Sequence, residues 1–256
     1  MFAAQILVLI PHPDDEVVGC AAAIRRACRR GCKVAGLYLT NGVPAREQFW
    51  PWQRGGHAQR VATRWREAEA AGLVLGLAEA GRQDVPTRTL RRRMSETAQL
   101  IDRAIAATGA SMLWVPAFEG GHQDHDVANA LASRLRARLP VWEFSEYHND
   151  GGHVHAQEFV QPVGTELTLS LDGDEVALKR RALEIYGSER SNLGYVGVGR
   201  EAFRPLADYD YATAPHEGAL FHARYRWVWG HPRVDRTDPA EVRRDIVAFL
   251  TAHPRP

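Results

Sequence analysis

The stretch "ILVLIPHPDDEVVG", residues 6–19, decides the fold. Its first half is a short unbroken apolar run, the pattern of a parallel strand covered on both faces. Its second half sets His12, Asp14, Asp15 and Glu16 at the tip of that strand. Three carboxylates so placed repel one another unless a cation sits among them. In open α/β sheets, ligands bind just beyond the carboxyl ends of strands, which is where this cluster falls. Pro11 and Pro13 stiffen the turn by fixing their own φ and biasing the preceding residues toward extended backbone.

Outward from this stretch, strand and helix patterns alternate. Helical spacing covers 15–30 and stops at Gly31, and "KVAGLYLT" (33–40) reads as a second buried strand. A long loop spans 41–57, then helices are predicted over 60–77 and roughly 90–108. "SMLWVPAF" (111–118) is a strand, 124–139 a helix, and "VWEFSEY" (141–147) a strand. This rhythm predicts a Rossmann-like α/β fold: an open, mostly parallel sheet with helices on both faces. The second half predicts a small antiparallel element, "HVHAQEFV" joined to "ELTLSL" through "QPVGT", then a helix over 173–187. A last helix has Asp238 as N-cap, Pro239 at its first position, and an end near Ala252. No repeat or composition break divides the chain, so residues 1–256 are expected to form a single domain.

Composition narrows the function. With 256 residues, 45% hydrophobic and 25% charged, the chain reads as an ordinary globular protein. A net charge of +1, from 32 basic and 31 acidic side chains, gives no electrostatic reason to expect nucleic acid or a membrane surface as partner. No apolar run approaches the ~20 residues of a membrane span, and the N-terminal one reads as neither signal peptide nor anchor. Cys20, Cys28 and Cys32 fit no metal-site spacing, and an odd number suits reduced thiols in the cytoplasm.

A second cluster, "EGGHQDHD" (119–126), follows the strand 111–118 and precedes a helix, as the first cluster does. Gly120 and Gly121 let the backbone bend into it. Singly, each cluster has an ordinary explanation, as helix-capping acids or surface histidines. Two at matching places in the fold can meet across one crevice. Two imidazoles and one carboxylate make the usual three-ligand catalytic zinc set, and His12, Asp15 and His125 fill it with one Zn2+ per chain. Iron and cobalt remain open. Asp14, beside a ligand but free, is placed to take a proton from water. His122 is placed to protonate a leaving group or steady an oxyanion, with Asp124 expected to fix its tautomer.

"PHPDDE" with the later "HQDH" resembles the signatures of the PIG-L/LmbE-like family of zinc-dependent de-N-acetylases. "TRWREAEAAGLVLGL" is similar to that family's R-x-x-E helix, through Arg64 and Glu67. The resemblance implies a Rossmann-like fold, a single zinc, and hydrolysis of an acetamide on an amino sugar. It assigns zinc to His12, Asp15 and His125, the base to Asp14, the acid to His122, its support to Asp124, and a substrate contact to Arg64. Asp84 stands where relatives often carry a sugar-binding acid. Where some relatives have a tyrosine, this chain has Gly120; "YGSE" (186–189) looks like the family's Y-x-S-Q with Glu189 in place of glutamine.

The loop 41–57 carries Phe49, Trp50 and Trp52, and Trp50 and Trp52 are candidates to stack on a sugar; pinning the loop or burying a subunit contact would use the same residues. Arg64 has a plainer reading as the ion-pair partner of Glu67. "GVGREA" (197–202) satisfies a dinucleotide fingerprint without the strand and helix that it requires. His148, His153 and His155 raise the possibility of a second metal, with surface histidines the plainer reading, and His216 and His222 have no evident partner. The expected function is a zinc-dependent hydrolase removing an N-acetyl or other N-acyl group from a small-molecule N-acetylated sugar or glycoside. The alternatives are an amidase acting on a non-sugar amide or thiol conjugate, and a non-catalytic zinc-stabilised sugar-binding module. A homo-oligomer is left open.

Overall fold

The first strand, β1 (Gln5–Ile10), is buried from Ile6 to Ile10 because its side chains alternate between two packed layers. Leu7 and Leu9 enter one hydrophobic cluster, and Ile6, Val8 and Ile10 the other. The computed structural model describes residues 1–221 and 234–253, and His222 lies outside the described residues. After β1 come α1 (Asp15–Val18), α2 (Ala21–Arg29), β2 (Lys33–Tyr38), α3 (His57–Leu75), β3 (Ala78–Arg82), α4 (Met94–Thr108), β4 (Met112–Pro116) and α5 (Gln123–Ser133). The second half holds β5 (Val141–Phe144), β6 (Tyr147–His148), β7 (His155–Ala156), β8 (Leu167–Ser170), α6 (Gly173–Ile185), β9 (Arg200–Pro205) and α7 (Pro239–Ala252).

The main sheet has the order β3-β2-β1-β4-β5-β9-β8. Its first five strands are parallel, and β9 runs antiparallel to both β5 and β8. Ala21, Ile24, Ala68, Ala71, Leu75 and Ala182 of α2, α3 and α6 cover one face. Ile101, Val127, Leu131, Val242, Ile246 and Phe249 of α4, α5 and α7 cover the other. A separate two-stranded antiparallel sheet pairs β6 with β7. The fold is therefore the expected α/β one, and no helix among the described residues is long and apolar enough to cross a membrane.

Several boundaries differ from expectation for identifiable reasons. The helix expected over 15–30 breaks between Val18 and Ala21. A Cβ at Gly19 would lie 2.2 Å from the Phe144 ring, so the chain passes β5 at its one residue without a side chain. The new helix start is capped from across the sheet: Glu201 accepts from the Ala22 and Ala23 backbone N–H groups at 2.9 Å each. Buried Lys179 compensates this carboxylate at 3.1 Å and also donates to the Val18 carbonyl at 2.8 Å.

Glu201 lies on β9, a strand that sequence patterning misses because charge interrupts it. Arg204 of the same strand is buried against Glu143 at 2.6 Å. Gly197 and Gly199 thus lead into a strand, so no dinucleotide-binding turn forms there. The edge strand β3 was missed as well, because "AEAGR" has no apolar alternation. "VWEFSEY" divides between β5 and β6, "HVHAQEFV" supplies only β7, and "ELTLSL" joins the main sheet beside β9 rather than pairing through "QPVGT". The loop 41–57 contains two 3₁₀ turns, Arg46–Gln48 and Pro51–Gly56. α7 begins and ends where expected, with the Asp238 side chain accepting from Ala240 N–H at 2.9 Å.

Candidate active site

β1 pairs with β2 on one side and β4 on the other, so the winding of the sheet reverses between β1 and β4. Such a switch point opens a crevice beyond the strand ends. His12–Glu16 leave the end of β1 and His122–Asp126 follow β4, so the two clusters meet there. The meeting strains the backbone: Asp14 has φ of 130°, a region that L residues rarely adopt and that costs roughly 1–3 kcal/mol. His122 is the N-cap of α5, its Nδ1 accepting from Asp124 N–H at 3.1 Å. In the neutral ring that bond leaves the proton on Nε2.

Three of the expected ligand atoms form a nearly equilateral triangle. His125 Nε2 lies 3.2 Å from His12 Nδ1, and Asp15 Oδ2 lies 3.3 Å from each. Ligands about 2.0–2.1 Å from a tetrahedral zinc are about 3.3–3.4 Å apart, so one ion fits this triangle without rearrangement. Around the ligands stand the hydrogen-bonding groups that fix imidazole ligands. Asp124 Oδ2 meets the other His12 nitrogen, Nε2, at 3.0 Å, and accepts from Thr87 Oγ1 at 2.9 Å and Arg88 N–H at 2.6 Å. Asp124 sets the His122 tautomer through its backbone N–H, while its carboxylate Oδ2 is 3.8 Å from His122 Nδ1, beyond hydrogen-bond reach. The carboxylate holds His12 instead, because in the first turn of α5 it points across the crevice to the end of β1. Glu146, at the end of β5, brings a carboxylate oxygen to 3.7 Å from His125 Nδ1.

Electrostatics follow from this crowding. Burial lowers His12, but the Asp15 charge and the Asp124 hydrogen bond outweigh it and hold the imidazole up at about 10. Burial raises Asp15, yet His125 and His12 outweigh that and keep it well below the usual carboxylate range. Asp14 is pushed well up by burial, with Arg64 opposing and Asp15 and Glu189 adding to the rise.

Arg64 is buried, ion-paired to Asp14 at 3.1 Å, and donates to the Pro13 carbonyl. Its contact with Glu67 is the longer one, 3.9 Å, and Glu189 stands at 3.8 Å. The stretch 186–189 closes this side. Tyr186 donates to Glu16, and Ser188 donates to Glu67 from N–H at 2.9 Å and from Oγ at 2.5 Å.

These groups line a cavity of about 380 Å³, within the range of small-molecule sites. His12, Asp14, Asp15, Arg64, His122 and His125 all face it. Asp84, Trp50 and Trp52 do not. Asp84 is exposed and accepts from Asn41 Nδ2 at 2.8 Å, pinning the loop instead of reaching the cavity. Trp50 and Trp52 stack on each other, centroids 5.3 Å apart, and Trp52 is 76% exposed. Phe49 is the loop aromatic that lines the cavity. Sequence reading missed Thr87, which belongs to no motif, and Tyr147. It also missed Glu146, whose only signal was a carboxylate in an otherwise apolar strand pattern.

A mostly parallel α/β sheet with a two-histidine, one-aspartate cluster and a buried carboxylate outside the ligand triangle at its switch point carries the groups of a metal-dependent hydrolase. The chain belongs to the PIG-L family, described as GlcNAc-PI de-N-acetylase, which its residues 7–135 match; it is a member of the metal-dependent N-deacetylase class. Comparison with curated protein sequences gives no significant match. Among solved structures, a deacetylase of teicoplanin biosynthesis is 20% identical with a TM-score of 0.64, over 80% of this chain and 99% of that one. N,N'-diacetylchitobiose deacetylase from Pyrococcus horikoshii is 18% identical with a TM-score of 0.51, over 79% and 83%. The 4-carboxy-2-hydroxymuconate hydratase GalB from Pseudomonas putida is 16% identical with a TM-score of 0.55, over 81% and 98%. At these identities the likeness is one of fold, and the fold hosts hydration as well as deacetylation.

Proposed function

We propose that this protein is a zinc-dependent hydrolase that removes an N-acetyl group from a small amino-sugar-containing substrate. The observation that carries the reading is the 3.2–3.3 Å triangle of His12 Nδ1, Asp15 Oδ2 and His125 Nε2, the spacing of three ligands of one ion. When bound, a divalent ion supplies Lewis acidity toward water and the amide carbonyl. The protein supplies the rest. Asp14, raised by burial and held by Arg64, takes a proton from the attacking water. His122, its Nδ1 accepting from the Asp124 backbone, keeps its proton on Nε2 and donates it as a hydrogen bond to the developing oxyanion, while the proton taken by Asp14 passes on to the departing nitrogen. A C–O bond forms, the C–N bond breaks, and a carboxylate and an amine leave. Asp124 and Thr87 hold His12 in place.

The amino-sugar part of the reading is supported by the family's description, by the chitobiose-derived substrate that the Pyrococcus structure names, and by Phe49 on the cavity wall. Three free cysteines support a reducing compartment, the cytoplasm. Release of acetate from N-acetylated sugars and glycosides, measured with the zinc-loaded protein, tests the reading. Stoichiometric acetate and free amine are expected. Saturable binding without acetate would replace the enzyme by a sugar-binding module, and turnover of simple N-acyl amides alone would make it a non-sugar amidase.

A further inference from the structure

The small sheet of β6 and β7 pairs only two residues on each strand, Tyr147 with Ala156 and His148 with His155. A two-stranded ribbon this short is marginal alone, and Ser145 Oγ donating to the Glu158 carbonyl at 2.6 Å and Gln157 Nε2 donating to the Val18 carbonyl at 3.2 Å tie the hairpin to the body of the protein. One of its two cross-strand pairs consists of two histidines, whose rings lie 4.7 Å apart at 11°. Residues directly opposite on paired strands have Cβ atoms about 4.5–5.5 Å apart, a separation that one metal ion spans. Three residues beyond His155 a carboxylate turns back: Glu158 Oε1 lies 2.5 Å from His155 Nδ1.

We propose that His148, His155 and Glu158 form a second metal site, built to take zinc and distinct from the cavity cluster. One ligand atom from each of the three lies within 4.8 Å of the others. Two imidazoles and a carboxylate match the ligand preference of zinc, as they do in the cavity. His148 supplies the independent sign. It is only 4% exposed, and its Nε2 has no hydrogen-bond partner among the described residues. Its Nδ1 accepts only a long 3.4 Å bond from Asp150 N–H. A buried polar atom without a partner costs about 1–3 kcal/mol, which ligation would recover.

Ligation through His148 Nε2 moves that ring's proton to Nδ1, giving up only the long bond from Asp150 N–H, and the rings turn about χ2, a soft torsion. On binding, the ion takes the place of a proton between His155 Nδ1 and Glu158, and that proton leaves to solvent. Arg200, 2.6 Å from the other Glu158 oxygen, holds the carboxylate in position. His216 packs 5.7 Å from His148 and lies 3.6 Å from Asp150 in the hairpin loop. The site has a consequence for the cavity. Tyr147, next to His148, lines the cavity and packs 6.1 Å from the His125 ring, so an ion at this hairpin fixes one cavity wall.

The test is zinc content by elemental mass spectrometry after dialysis against chelator-buffered zinc. Wild type should carry about two ions per chain, and His155→Ala and Glu158→Gln about one each. Both substituted side chains are partly exposed, 27% and 42%, so the fold should tolerate the changes. The double variant His12→Ala/His125→Ala should keep one ion, and zinc should raise its Tm; adding His155→Ala should abolish both effects. Two ions retained in His155→Ala or in Glu158→Gln overturn the proposal. So does a single wild-type ion that survives His155→Ala and is lost from the His12/His125 variant. A single ion with the opposite behaviour would leave this site standing and remove the metal from the cavity.

Discussion

Replacing Asp124 by asparagine separates two readings of that residue. Its Oδ2 meets His12 Nε2 at 3.0 Å and accepts from Thr87 and Arg88, while Oδ1 accepts from Leu90 N–H at 3.3 Å. Asparagine with its oxygen in the Oδ2 place keeps the acceptor for Thr87 and Arg88 N–H and gives up only the 3.3 Å bond from Leu90 N–H, so the fold should persist. What it loses is the charge that makes His12 a strong electron donor. Removing such an outer partner of a metal-binding imidazole costs about 10–100-fold in metal affinity, or about 1.4–2.7 kcal/mol. The assay is competition for zinc against a chromophoric chelator at neutral pH, followed by kcat at saturating zinc. The expected result is weaker zinc binding in that range, with kcat within a few-fold of wild type once the site is filled. Unchanged zinc affinity with a strongly reduced kcat would refute the reasoning, because Asp124 would then act through His122 after all.

Three other perturbations test the site. Asp14→Asn should lower kcat by about 10²–10⁴-fold, the usual contribution of a positioned base, while zinc content stays at the wild-type level because Asp14 lies outside the ligand triangle. Phe49→Ala should raise KM, whereas Trp52→Ala should leave both kcat and KM near wild type, since only Phe49 lines the cavity. Glu119 tests the pH dependence of stability. Burial raises it from 4.5 to about 7, so the folded protein binds the proton more tightly than the unfolded chain. The stabilisation from this group is complete below pH about 4.5 and is lost as pH rises through about 7, up to about 3 kcal/mol in all. Chemical denaturation at pH 5 and 8 should show Glu119→Gln gaining stability relative to wild type at the higher pH; a difference independent of pH would exclude this titration.

The sequence by itself determined the parallel core and the two clusters. An apolar run as short as "ILVLI", rich in β-branched residues and ended by Pro11, reads as a strand covered on both faces, and a charged cluster at its tip needs a cation or a partner cluster. Matching positions after β1 and β4 then placed His12, Asp14, Asp15, His122 and His125 in one crevice, because short-range pattern and the winding rule of such sheets agree. Tertiary structure alone decided the contacts made across the sheet. The break at Gly19 depends on Phe144, and the start of α2 on Glu201, residues that no local window around 15–30 contains. The aim of Asp124 at His12 depends on how α5 sits against β1, since the sequence shows only that His122 is two residues away. Trp50 and Trp52 look like sugar-stacking residues by type, but two 3₁₀ turns carry them onto each other and leave Phe49 facing the cavity. Residue type and spacing are local properties and were legible. Which of two chemically suitable neighbours a side chain meets is set by packing between distant segments.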